Sequence, residues 1–216
     1  MSAKTMVLNI AYVLLISSLF IFSAVQLYQS LYRNAAGAHM STLKPDNVSP
    51  KVNSTTYILA QRIEKFPIHG ANDIETKASL LEWSKFFEPT ALDYQNIIEL
   101  RLTSAKLRPT WSPNYIELSK LYDKVGNLPK QQEMLQYAQL FGAVRQSTII
   151  GQLDFSYSNW NTLTSESKIQ AAIQLIEVAN RPAYRKKLDS MITYSKGKDR
   201  MCNLLFFNDL HVGSCY

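Results

Sequence analysis

The chain has 216 residues, with 23 basic against 17 acidic side chains and a formal net charge of +6. Its 7 glycines and 8 prolines are sparse and alternating β-branched runs are rare, which argues against a β-rich body and for an all-α one. The positive balance suits anionic lipid, an acidic polymer or nucleic acid. A domain outside the inner membrane rarely meets nucleic acid, so that partner is set aside.

The first element is an apolar run from Met6 to Leu27, interrupted by Asn9, Ser17, Ser18, Ser23 and Gln26 and by no charge. About twenty residues at ~1.5 Å each cross a ~30 Å hydrocarbon layer. A cleaved signal peptide would carry a shorter apolar stretch of ~7–15 residues. The nearest small-x-small site, Ala36-Gly37-Ala38, lies well past the run. A retained signal-anchor is therefore expected. Flanking charge is nearly balanced, with Lys4 before the run and Arg33 and Lys44 after it. Orientation then rests on the ease with which large C-terminal domains translocate. The expected placement is a single pass through a bacterial inner membrane, with the main domain periplasmic. Tyr28 and Tyr32 stand where an interfacial aromatic belt would sit, or simply continue the helix. One span without ionisable groups is a tether rather than a transport path.

Ala35 to Val52 carries Gly, Pro, Asn and Ser without periodicity and reads as a linker. The expected division is a transmembrane anchor over 1–34, a linker over 35–53 and a helical-repeat domain over 54–216. Helices are expected over Thr55–Lys65 and from an Asn72/Glu75 capping box to Phe87, stopped by Glu88-Pro89. Thr90 with Asp93 caps the next, which reaches Leu107 and breaks at Arg108-Pro109. Ser112-Pro113 opens a helix that closes at Gly126, and Pro129 opens another to Phe141. Turns this short make neighbouring helices antiparallel.

Ser112–Arg145 fits the roughly 34-residue helix–turn–helix unit of the tetratricopeptide repeat. Tyr115, Leu118, Ser119 and Tyr122 take the signature positions of its first helix, Gly126 the turn, and Leu135 and Ala138 the second helix. Gln131 and Ala143 depart from the Ala and Pro usual there. Pro109 falls at the closing position one window back, so Glu88–Trp111 reads as half of a preceding unit. A diverged third begins near Ser147 and runs through Ile149, Ile150, Leu153 and Phe155. Thr164 then caps a stripe of Ile169, Ala172, Ile173, Ile176 and Val178, and a last helix covers Ala183–Ser195 before Gly197.

Cys202 and Cys215 are the two cysteines. In a translocated domain an even count suggests one disulfide, worth ~2–3 kcal/mol. A free pair, or a metal or thiol site with His211, is the alternative; neither His39 nor His69 is at useful zinc spacing.

No phosphate loop, nucleophile elbow or zinc-protease motif occurs. Acidic pairs such as Glu75/Glu82 and Asp93/Glu99 read as solvated helix charges. No catalytic, cofactor or metal residue is assigned, and an enzyme is not expected. Two surfaces are candidate binding sites. Arg108 and Trp111, with Tyr115 and Tyr122 on the following helix, could stack on sugar rings or hold an extended peptide. The plainer reading makes Trp111 a wedge and the tyrosines core. Arg185, Lys186 and Lys187 centre a basic stretch from Arg181 to Arg200, either a patch for anionic lipid or polysaccharide or a solvated face.

The single anchor, the LRPTWSPNYIEL stretch and the SYSNWNTLTSESK stretch resemble the VpsP-type family of bacterial exopolysaccharide biosynthesis proteins, and the closing pair of cysteines suits that family. The markers are Arg108, Pro109, Thr110, Trp111, Trp160 and Leu163, within Leu100 to Cys215; Ala35 to Phe87 carries none. The resemblance implies a membrane-tethered accessory protein of capsule or biofilm polysaccharide synthesis or export. Its partners would be envelope polysaccharide-assembly proteins, and catalysis is not implied. Direct polysaccharide binding or modification, and a general envelope-assembly scaffold, are the other expectations.

Overall fold

The apolar run lies within a single 40-residue helix, α1 (Ala3–Thr42). At 1.5 Å per residue it is about 60 Å long, twice a hydrocarbon layer. Its apolar window has a mean hydropathy of 2.2 and no residue buried inside the protein, as in a membrane anchor or a signal sequence. The computed structural model describes residues 3–44, 50–89 and 93–216; among them are ten α-helices and no strand.

The first half of the stretch read as a linker is helical. Ala35, Ala36 and Ala38 are strong helix formers, and Ala36 is fully buried, so α1 continues to Thr42. Residues 45–49 lie outside the described residues, and α2 (Pro50–Glu64) follows. Two compact units result, Met1–Arg108 and Pro109–Tyr216. Their boundary falls inside the stretch read from sequence as one domain.

The first unit joins the C-terminal half of α1 to α2, α3 (Ala71–Phe87) and α4 (Tyr94–Leu107). Successive helices run antiparallel. Gln29 meets Ile68 and His39 meets Thr56 across α1 and α2. Ser104 meets Ala71, and Arg101 meets Ser79, across α3 and α4. The cap of α3 differs from the Asn72/Glu75 box. Gly70 is the N-cap, and Asp73 reaches back to accept from its N–H at 2.9 Å. Glu75 is drawn away by Ser104, whose hydroxyl donates to it at 2.7 Å. Asp93 caps α4 by accepting from the Gln95 N–H at 3.2 Å, while Thr90 lies outside the described residues.

An ion pair joins α1 to α3. Arg33 clasps Asp73 through two bonds, Nε to Oδ1 at 2.5 Å and Nη2 to Oδ2 at 2.9 Å. The Asp73 carboxylate is 1% exposed. Phe66 is buried beside it against Tyr28 and Tyr32, with both ring centroids 6.4 Å away.

The second unit is three helical pairs packed in sequence: α5 (Ser112–Lys124) with α6 (Leu128–Gly142), α7 (Gln146–Ser158) with α8 (Ser165–Ala179), and α9 (Arg185–Tyr194) with α10 (Lys198–Phe207). Gly126 has a φ of 72°, the left-handed turn that a side chain would strain. Asn127 then caps α6 through the Lys130 N–H, and Thr164 caps α8 through the Ser167 N–H. Pro182–Tyr184 forms a 3-10 turn, which moves the start of α9 from Ala183 to Arg185. The sequence reading contains no counterpart of α10. Leu153, Leu175, Leu188, Ile192, Met201 and Leu205 meet in a core shared by the last four helices.

Candidate functional site

A cleft of about 570 Å³ crosses α5, α7 and α9, the first helix of each pair. Ile116, Ile150, Phe155 and Met191 supply its apolar surface. Gly151 lets α7 lie close to α5: a Cβ there would stand 2.9 Å from Ile116 Cδ1. Charged and hydroxyl groups surround this surface. Glu117, Lys120, Asp123 and Lys124 come from α5, Asp154 and Ser158 from α7, and Lys187 and Tyr194 from α9. Part of this polar set is already ordered. Lys120 pairs with Glu117 at 2.9 Å, and Lys196 with Asp123 at 2.7 Å. Asp154 accepts from the Ser195 hydroxyl at 2.6 Å. Such a cleft suits an extended chain with alternating apolar and charged groups.

The groove expected on Arg108, Trp111, Tyr115 and Tyr122 is not this cleft. Tyr115 is buried in the α5–α6 pair between Tyr137 and Phe141, with centroids at 5.4 and 5.8 Å, and its hydroxyl donates to the Pro109 carbonyl at 2.8 Å. Burial pushes its phenol up. Tyr122, seven residues on, is half-buried. The half-buried Trp111 is the N-cap residue of α5, and the Arg145 guanidinium lies 4.7 Å over its ring. Arg108 ends the first unit, its N–H closing α4 on the Ser104 carbonyl at 2.9 Å. Of the positions read as a repeat signature, Tyr115 packs within the α5–α6 pair, whereas Ser119 lines the cleft. The cleft uses the adjacent stripe, Ile116, Lys120 and Asp123, at the same 3–4 spacing.

Arg185, Lys186 and Lys187 occupy the first turn of α9 and are exposed. Of these three, Lys187 lines the cleft. Positive charge at a helix N-terminus opposes the macrodipole, so these side chains do not serve the helix locally.

Cys202 and Cys215 are joined, with S–S 1.98 Å, tying α10 to the 3-10 turn at Gly213–Cys215. This pairing takes both sulfurs out of thiol and metal chemistry. Asp189 of α9 accepts from the Ser214 N–H beside it, so the tail is strapped to two helices.

Trp160 and Leu163 also pack structurally. Trp160 stacks on Tyr157 at 5.1 Å, with the Arg200 guanidinium 5.3 Å over its ring. Leu163 closes the 3-10 turn through its N–H to the Trp160 carbonyl. Burial pushes the Tyr157 phenol up to about 12, against the pull of Arg200. The Tyr157 hydroxyl is buried without a hydrogen-bond partner.

A second hollow, of about 440 Å³, lies in the first unit between α2, α3 and α4, lined by Tyr57, Gln61, Leu81, Asn96, Glu99 and Thr103 among others. The Lys77–Glu64 pair, 2.8 Å apart, also lines it. Among the residues whose side chains are described, no three His, Cys, Asp or Glu groups converge as a metal site. The chain matches no family model, no curated protein and no solved structure.

Proposed function

We propose that this chain is a non-catalytic docking scaffold, anchored in a membrane, whose second unit holds an extended segment of a partner protein across α5, α7 and α9. The observation that carries this reading is the cleft itself. It is built from the first helix of three successive pairs, with apolar groups set among ordered charges. Stacked helical repeats of tetratricopeptide type present their first helices to ligands in this way.

Retention of the anchor is supported by the clasp in the first unit. Cleavage at Ala36-Gly37-Ala38 would remove Arg33 and leave the Asp73 carboxylate, 1% exposed, without its cation. Such a loss costs about 3–5 kcal/mol in a buried pair. The Cys202–Cys215 disulfide supports a compartment outside the cytoplasm. The biological context, assembly or export of an exopolysaccharide, rests on the sequence resemblance through Arg108–Trp111 and Trp160.

In-cell photo-crosslinking tests the scaffold role. A photoreactive residue at Lys120, Phe155 or Tyr194 is expected to capture a polysaccharide-assembly protein, whereas one at the exposed Gln170 of α8 is not. Equal capture from both faces would sink the cleft as the docking surface. Exposed Lys187, with Tyr194 on the same helix, favours a second reading, in which this end of the cleft takes an acidic polysaccharide directly. Retention of the purified protein on the polymer, lost on Lys187→Glu with no protein crosslink at the cleft, would select that reading.

A further inference from the structure

We infer that the first unit sits on the bilayer surface, with the α2–α3 turn, Lys65 to Gly70, lying in the headgroup layer of an anionic membrane. The inference rests on the retained-anchor reading and adds to it an interaction surface outside the spanning helix.

The register of α1 sets the level of the turn. The apolar run ends at Leu27, and Gln29 follows about 3 Å further along the axis. Gln29 Nε2 donates to the Ile68 carbonyl at 3.2 Å. Helical side chains lean toward the N-terminus, which here is toward the bilayer. The bond therefore holds Ile68 level with the end of the apolar run, and no flexible linker separates the two.

The turn is fixed at both ends. The His69 ring nitrogen lies 3.0 Å from the Ile63 carbonyl and 3.1 Å from that of Glu64, tying the turn to the end of α2. Phe66 is buried against Tyr28 and Tyr32. Between these two anchors Ile68 is held outward, 53% exposed. Tyr28 and Leu31 on the adjoining helix are 46% and 60% exposed. An isoleucine fixed outward at the level where the helix itself still exposes Tyr28 and Leu31 continues the greasy surface of the span instead of closing it off.

The charges around this tip match a lipid interface. Arg62 and Lys65 are exposed, and Glu64 between them is drawn to Lys77 at 2.8 Å. The end of α4 arrives at the same level, because the Ser104 hydroxyl donates to the Ala71 carbonyl at 3.3 Å. It carries exposed Lys106 and Leu107. The two remaining carboxylates at this end face inward, Asp73 to Arg33 and Glu75 to Ser104. An apolar tip ringed by cations fits lipid phosphates above and acyl chains below.

Nitroxide accessibility in the full-length chain tests this directly. The native cysteines are paired, so Ile68→Cys is the single free thiol. Asn96→Cys, exposed near the start of α4, is the comparison site away from the tip. In nanodiscs of phosphatidylethanolamine and phosphatidylglycerol, the label at 68 is expected to collide several-fold more with oxygen than with a water-soluble nickel chelate. The order reverses at 96. Arg62→Glu with Lys65→Glu is expected to shift the label at 68 toward water. Equal water access at 68 and 96, in a chain that resists alkaline extraction, would overturn the seating and leave the anchor intact. Release of the chain by alkaline extraction would overturn both.

Discussion

Arg33 and Asp73 hold α1 to the rest of the first unit, and the acid sits on the buried side of the pair. Burial pushes the Asp73 carboxyl up, but the Arg33 hydrogen bond, the Gly70 N–H and the Arg33 charge outweigh it and hold it below the usual range. A carboxylate lowered on folding stabilises the fold above its unfolded pKa, and that stability is lost as pH falls through the folded value. The first unit is therefore expected to weaken progressively below about pH 4. Arg33→Met is expected to cost about 3 kcal/mol at neutral pH and to flatten this acid dependence, read by chemical denaturation across pH. Tyr157 is the opposite case, a buried hydroxyl with no partner. Tyr157→Phe keeps the stacking on Trp160 and removes the unsatisfied group. It is expected to raise stability by about 1 kcal/mol, and a loss of similar size would show that the hydroxyl has a ligand.

Among the elements, the cap and break signals were legible for a local reason. Gly126, Thr164 and the Arg108-Pro109 break act within one turn of chain, so their effect does not depend on what packs nearby. The cap of α3 was misplaced because Ser104, 29 residues away, competes for Glu75. The linker was misread because Gly37 and the prolines that follow concealed an alanine-rich helix end. What holds that end helical is Ala36 against the first unit, a contact local composition does not contain. Helix α10 escaped because it is only ten residues long and its neighbours are supplied by α7, α8 and α9. The disulfide matters most at this scale. Replacing Cys202 and Cys215 by Ser is expected to cost about 3 kcal/mol in the second unit and to release the tail from α9, read by thermal unfolding and by proteolysis at Asp209–His211.

For the whole molecule, the two compact units imply separate responses to damage in α1. Deleting residues 1–38 removes Gln29, Arg33 and Ala36, all of which pack into the first unit. Amide exchange in α2, α3 and α4 is then expected to accelerate, with protection in α7 to α10 unchanged. Uniform acceleration would mean that the units unfold as one. The candidate site was less legible than the helices. Tyr115, Tyr122 and Trp111 were singled out because aromatic side chains at repeat positions resemble a binding groove. Tyr115 fills the α5–α6 pair, Tyr122 is half-buried, and Trp111 is covered by Arg145. The cleft instead gathers groups of side chains from three helices spread over about eighty residues of chain, a pattern that no local window contains.

Sequence alone determined the long apolar run, the all-helical body and most of its turns, because hydrophobic run length, proline, glycine and cap chemistry act over a few residues. Tertiary structure decided where the apolar helix becomes part of a folded body. The C-terminal half of α1 is built into the first unit through Gln29, Arg33 and Ala36, so a stretch that reads as an apolar run followed by a linker is one continuous helix. It also decided which face of α5 meets the cleft. A helix presents several stripes at the same spacing, and only the neighbours that cover one of them leave another open.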